Sequence, residues 1–437
     1  MIKNNVRTGL LCIGLSVLPS VGVAQSVITL SQAYESALQN NYQLRSEQAS
    51  LNAEGEATRE AWAGVLPQIT ATASYGESRF TRDFNVNTSV TDTDEHTRYE
   101  VSLSQVIYSQ KSFDGIGRAN AGEDRSREEF NLSVVNTGFD AVKAYLAAAA
   151  IKRETAVLEQ ELESHQRRLL QMQKKQERGL ATRADVLDAQ TSRDQTIAEL
   201  AGLRTELLSA RQQFVAVTGL SLDDASLAPV DESRWQRVPD LLQTDWLEVA
   251  LKNSGDLKVA RADVQFNEAT QDYERAGHFP ELYLNARYTE NDTFATNLRE
   301  ETRVEVQFRL PIYKGGATSA RSRQAAYRKE ASVLALQHQE QLVRVEITRL
   351  VEGLQGSHEQ INALKTARIS AAQSLEAAER GFEGGVRSLT DLLEARNRLS
   401  RTERDLVSEV YKNLRMQFEL KQIAGVLSRE DLQGLTL

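Results

Sequence analysis

Apolar and polar side chains alternate in two parts of the chain. In the first, Ile69, Ala71, Ala73 and Tyr75 interleave with Gln68, Thr70, Thr72 and Ser74. Tyr99, Val101 and Leu103 then interleave with Arg98, Glu100, Ser102 and Ser104, ahead of Val106-Ile107-Tyr108. In the second, the run from Leu282 to Tyr288 is followed by Val304, Val306, Phe308 and Leu310 around Glu305, Gln307 and Arg309. A period of two with one apolar face predicts β-strands at about 68–80, 97–108, 282–290 and 301–313. The stretches between them, Arg79 to His96 and Glu290 to Glu301, are rich in Asp, Asn and Thr and read as polar loops.

Elsewhere the pattern is helical and unusually long. A helix of roughly 35 residues is expected to end near Ala63, with a counterpart ending near Ala276, because glycine (Gly64, Gly277) and then proline (Pro67, Pro280) follow each. After the strands, breaker-free runs at about 115–178 and 317–381 predict helices of about 90–100 Å. Gly179 and the pair Gly384-Gly385 punctuate them, and further helices are expected at about 183–217 and 387–424, closing two antiparallel hairpins.

The two halves repeat each other. Ala37, Leu38, Asn40 and Leu44 recur as Ala250, Leu251, Asn253 and Leu257, and Pro67 and Tyr75 as Pro280 and Tyr288. Ile107-Tyr108 recurs as Ile312-Tyr313, and Gly179, Asp185, Leu187 and Ala189 as Gly385, Asp391, Leu393 and Ala395. The spacing shortens by about eight residues between Tyr75 and Ile107, which places the extra residues in the first hairpin loop. The expected organisation is a first unit at 25–220, a linker at 221–240, a second unit at 241–427 and a tail at 428–437. Ahead of these, Lys3 and Arg7 precede an apolar run that ends in Gly22-Val23-Ala24, the layout of an export signal peptide over residues 1–24.

Composition narrows the function. The chain has 437 residues but only 6 prolines, which favours extended helices over compact layered domains. Its formal charge of -9, with basic and acidic residues interspersed, disfavours nucleic-acid binding. The single cysteine, Cys12, lies in the expected leader, so the exported part has no disulfide and no thiolate. The five histidines, His96, His165, His278, His338 and His358, lack metal-ligand spacing, and no nucleophile elbow or phosphate loop is present. An enzyme is not expected, nor a metal or cofactor. No stretch reaches 18 consecutive apolar residues, so any membrane crossing must use strands. Four strands cannot close a barrel in hydrocarbon, whereas three chains would supply twelve. The competing expectation is a periplasmic coiled-coil scaffold or adaptor.

The duplicated set of Gly64-Val65-Leu66-Pro67, Gln105-Val106-Ile107-Tyr108 and the Gly179…Ala189 and Gly385…Ala395 turn-helix motifs resembles the TolC family of outer-membrane efflux and type I secretion proteins. The resemblance covers about residues 27–427. It implies a mainly α fold with a membrane β-barrel part: a homotrimeric twelve-stranded barrel in outer-membrane lipid, continued by an α-helical tunnel through the periplasm. It also implies two further partners, a periplasmic adaptor and an inner-membrane transporter, either ABC or proton-driven.

Residues carried over by the resemblance cluster at the two glycine turns. Asp391 and Glu394 share a helix face and match the family's acidic aperture rings, although the family usually has Asp at the second position. Phe382 and Arg387 match positions that tie the inner hairpin to its neighbours, and Arg183, Asp185 and Asp188 in the first unit are candidate partners for that restraint. Arg178, Gly179, Leu180 and Thr182, with Gly384, Gly385, Val386 and Ser388, are the expected adaptor-docking surface.

Overall fold

The computed structural model describes residues 27–85, 88–221, 227–292, 300–433 and 435. The expected signal peptide, part of the linker and most of the second hairpin loop lie outside these residues. The chain is mainly helical, with one antiparallel sheet of order β1-β2-β3-β4 formed by Gln68–Asn85, Thr88–Ser109, Glu281–Asp292 and Glu300–Arg309. Two helices dominate, α3 over Gln110–Glu177 and α8 over Ala317–Glu383, of 68 and 67 residues. At 1.5 Å per residue each is about 100 Å long. Each turns back at its far end into a shorter antiparallel helix, α4 over Arg183–Thr218 and α9 over Leu389–Ile423.

Three local expectations need correction. The single helix before the first strand is two helices, α1 over Leu30–Asn40 and α2 over Tyr42–Ala63. Asn41 takes an extended conformation between them, and its side chain caps α2 by accepting from the Leu44 amide at 3.1 Å. The second half breaks at the matching residue, Ser254, between α6 (Trp246–Asn253) and α7 (Gly255–Arg275). A one-residue interruption hardly disturbs helical periodicity, so the pattern alone does not reveal it.

The second correction concerns the first polar loop, whose described residues are β-structure. The β1–β2 pairing continues from Tyr75↔Thr97 to Asn85↔Thr88, about 30 Å beyond the last β2–β3 pair, Thr97↔Asp292. Thr suits a pleated ribbon as well as a turn, and Thr81 and Thr91 hydrogen-bond across it at 2.9 Å. Third, β4 stops at Arg309 rather than near 313, because Pro311 lacks an amide hydrogen for the ladder.

The core is distributed along the helices. Midway, Leu30, Tyr145, Phe214, Trp235, Tyr411, Leu414 and Phe418 draw α1, α3, α4 and α9 around a 3-10 turn at Glu232–Arg237. Tyr145 donates its hydroxyl to the carbonyls of Ala228 at 3.0 Å and Ile28 at 3.2 Å, beside the parallel bridge Ile28↔Leu227. A second cluster, with Val238, Trp246, Leu257, Leu350 and Leu420, packs the segment α5 (Val238–Leu241), α6 and α7 on α8 and α9. The expected tail carries a short helix, α10, over Arg429–Gln433.

Candidate functional site

The two ends of the long helices carry different chemistry. At one end the sheet is two-faced over its central rows. The pairings Ile69↔Leu103, Leu103↔Ala286 and Ala286↔Val304 put one apolar row across all four strands. Ile69, Tyr75, Val101, Val304, Val306 and Phe308 on this face are exposed, Ile69 at 69% and Val304 at 67%. An apolar patch of this extent marks a surface meant for another apolar medium. The opposite face is polar. Glu100 lies 3.3 Å from Arg287, Ser104 donates to Asn285 at 3.0 Å, and Asn285 donates to Gln307 at 3.4 Å. Among the described residues, the outer edges of β1 and β4 have no strand partner.

At the other end, two turns of one design join the hairpins. Gly179 and Gly385 adopt φ of 71° and 73°, where a Cβ would be strained, and so reverse the chain after α3 and α8. The next amide reaches back over the turn in each case, Leu180 N to Lys175 O and Val386 N to Gly381 O, both at 2.8 Å. Thr182 and Ser388 then start α4 and α9 with capping boxes whose acidic partners are Asp185 and Asp391. Leu180 and Val386 stand out into solvent, Val386 at 86% exposure.

This geometry places the tip residues named from sequence as follows. Asp391 and Glu394 are exposed on the first turns of α9. The Asp391 carboxylate accepts from the Ser388 amide at 3.0 Å. That bond, with the Ser388 hydroxyl and the nearby Arg387 charge, holds its pKa below the ordinary aspartate value. Asp185 is likewise engaged with the Thr182 amide at 2.8 Å. The Arg387 stem packs on Gly381, where an added Cβ would sit 2.9 Å from Arg387 Cγ. Among the described residues no ion pair joins Arg387 to Asp185 or Asp188, and Arg183 and Asp188 remain exposed at the start of α4. Phe382 lies between two small apolar clusters at the tip, one with Leu169, Met172 and Leu389, the other with Leu375, Leu392 and Ala395. Lys175 and Arg168 of α3 lie over its ring at 4.9 and 5.5 Å. Periodicity gave no signal for these two cation–ring contacts, which depend on how the hairpins are set against each other.

Among the described residues there is no group of three or more His, Cys, Asp or Glu able to hold a metal ion. No described helix is long and apolar enough to cross a membrane.

Residues 33–220 and 246–426 match the family described as outer membrane efflux protein. The chain is 25% identical to outer membrane protein TolC of Vibrio cholerae over 96% of its own length and 97% of the relative's. It is 27% identical to the proteases secretion protein PrtF of Dickeya chrysanthemi, over 96% of this chain and 93% of that one. Among solved structures, the outer membrane protein VceC of Vibrio cholerae superposes with a TM-score of 0.78 at 18% identity, covering 91% of this chain and 96% of the other. The CmeC outer membrane channel of Campylobacter jejuni gives 0.78 at 15% identity, covering 98% and 95%. The mainly helical fold is therefore that of these channels. With its apolar sheet face at one end and its paired glycine turns at the other, the chain belongs to the outer membrane efflux protein family, and it is an outer-membrane exit channel of efflux or secretion systems, with a periplasmic part, rather than an enzyme.

Proposed function

We propose that three copies of the chain pool their sheets into a closed twelve-stranded barrel, and that the helices continue it as a water-filled tunnel through the periplasm. The observation that carries this is the open, two-faced sheet. Its apolar face suits lipid, its polar face suits a lumen, and an unpartnered edge cannot persist in hydrocarbon. In a β1-β2-β3-β4 meander the two edges run antiparallel, so β4 of one copy can pair with β1 of the next around a threefold axis.

In this assembly the glycine turns form the inner end. Asp391 and Glu394, repeated three times, make acidic rings there, and Arg387 and Phe382 restrain the α8–α9 hairpin, with Arg183, Asp185 and Asp188 as counterparts. The missing contact between Arg387 and Asp185 or Asp188 within one chain fits a restraint made to a neighbouring copy. Leu180 and Val386, exposed beside Arg178, Gly179, Thr182, Gly384, Gly385 and Ser388, offer the surface for a periplasmic adaptor, which brings an ABC or proton-driven inner-membrane transporter. Residues 1–24 act as the export signal, and the two units flank a linker at the middle of the tunnel.

Planar-bilayer recording tests the reading. Purified protein is expected to insert as a trimer and give small, cation-selective conductance, which rises on Arg387→Ala. A water-soluble monomer that never inserts would overturn it.

A further inference from the structure

Apolar clusters hold much of the contact between the α3–α4 and α8–α9 hairpins, but polar contacts interrupt it, and one of these levels engages both helices of the first hairpin. There α9 presents Ser400 and Arg404, one helical turn apart, to both helices of the first hairpin. Ser400, 5% exposed, donates its hydroxyl to Glu161 Oε2 of α3. Arg404 Nη1 donates to Glu199 Oε2 of α4 at 2.9 Å. The other Glu161 oxygen lies 3.4 Å from Nε2 of His165, a fully enclosed ring whose Nδ1 has no partner.

Burial alone would raise the Glu161 carboxyl. Hydrogen bonds from His165 and Ser400, with the nearby charge of Arg404, outweigh it and hold the pKa lower. An ionised carboxylate only accepts, so Nε2 carries the ring proton and Nδ1 is the orphan. Charged groups in a helix seam bind less tightly than well-packed apolar ones, so adhesion alone does not explain them. They differ from apolar packing in another way. When the seam parts, water can resolvate the enclosed Glu161 and complete the partial hydration that Arg404 and Glu199 already have, whereas a parted apolar seam stays exposed at full cost.

We propose that Ser400 and Arg404, gripping Glu161 and Glu199, form a polar clasp between the two hairpins that must release before the duct widens. His165 is a positioning residue that fixes the Glu161 carboxylate. The clasp sits about 25 Å along the helices from the glycine turns, so it is separate from the restraints at the tip. It rests on the reading that the α8–α9 hairpin moves away from the α3–α4 hairpin at the closed end.

Two arms of bilayer recording test it. The double variant Ser400→Ala/Arg404→Gln is expected to raise the open fraction of intact trimers about tenfold. Ser400→Thr, which keeps the hydroxyl, should stay near the wild-type level. In the Arg387→Ala background, the pair Glu161→Cys/Ser400→Cys is expected on oxidation to return conductance to the closed level, and dithiothreitol to restore it. Cys12 is the only native cysteine, so no other native thiol competes outside the leader. Wild-type conductance in the double variant, or unchanged conductance after the bridge is verified by mass, would overturn the clasp. If the bridge fails to form, the double variant decides. Absence of any pore in wild type and Arg387→Ala alike would instead overturn the duct itself.

Discussion

At the residue scale, polar side chains do two kinds of work. Asp391 closes the capping box that starts α9, and its lowered pKa makes that contribution dependent on pH. The contribution is fully present above the ordinary aspartate pKa of 3.8 and is lost as pH falls through the lowered folded value. Amide exchange at Ser388 to Leu392 is therefore expected to accelerate in that acid range, and Asp391→Asn should remove the acceleration. Tyr145 works inside the core. Its hydroxyl ties two carbonyls on separate segments, and burial pushes its pKa well above the ordinary tyrosine range. Tyr145→Phe keeps the ring but strands both carbonyls, and should cost about 1–2 kcal/mol in chemical unfolding of the solubilised protein.

At the element scale, sequence predicted most helices and strands but not their joints. The turn motifs were legible because a positive-φ glycine and a capping residue with its acid are local signals, as at Gly179 with Thr182 and Asp185. The breaks at Asn41 and Ser254 were hidden, although the recurrence of Asn40 and Leu44 as Asn253 and Leu257 brackets both. Asn41→Ala should lower stability by about 1 kcal/mol through loss of the α2 cap, read from the shift in unfolding midpoint. A buried polar layer pins α8 to α9, where Asn413 donates to Ser357 at 3.1 Å and accepts from Gln417 at 2.8 Å. Asn413→Ala leaves both partners unsatisfied, with an expected loss of about 1–3 kcal/mol in the same measurement.

At the scale of the whole molecule, the two faces of the sheet make opposite demands. Val306 lies on the exposed apolar face, while its neighbour Gln307 belongs to the polar one. Val306→Lys is expected to cost about 2–4 kcal/mol per chain at mid-bilayer depth, and to deplete the protein from the membrane fraction. Gln307→Lys should assemble normally and change only ion selectivity. Equal assembly of the two variants would count against lipid contact at Val306.

Alone, the sequence determined the period-two strands, the long breaker-free helices, their glycine turns and the duplication that leads to the family. These are set by residues close along the chain, whose spacing decides backbone conformation before any distant contact forms. The tertiary structure decided the one-residue helix breaks, the extended β1–β2 ribbon, the cations over Phe382 and the grip of Ser400 and Arg404 on Glu161 and Glu199. The last two depend on the relative height of helices about 100 Å long, where a shift of one turn changes every partner while leaving the apolar pattern intact.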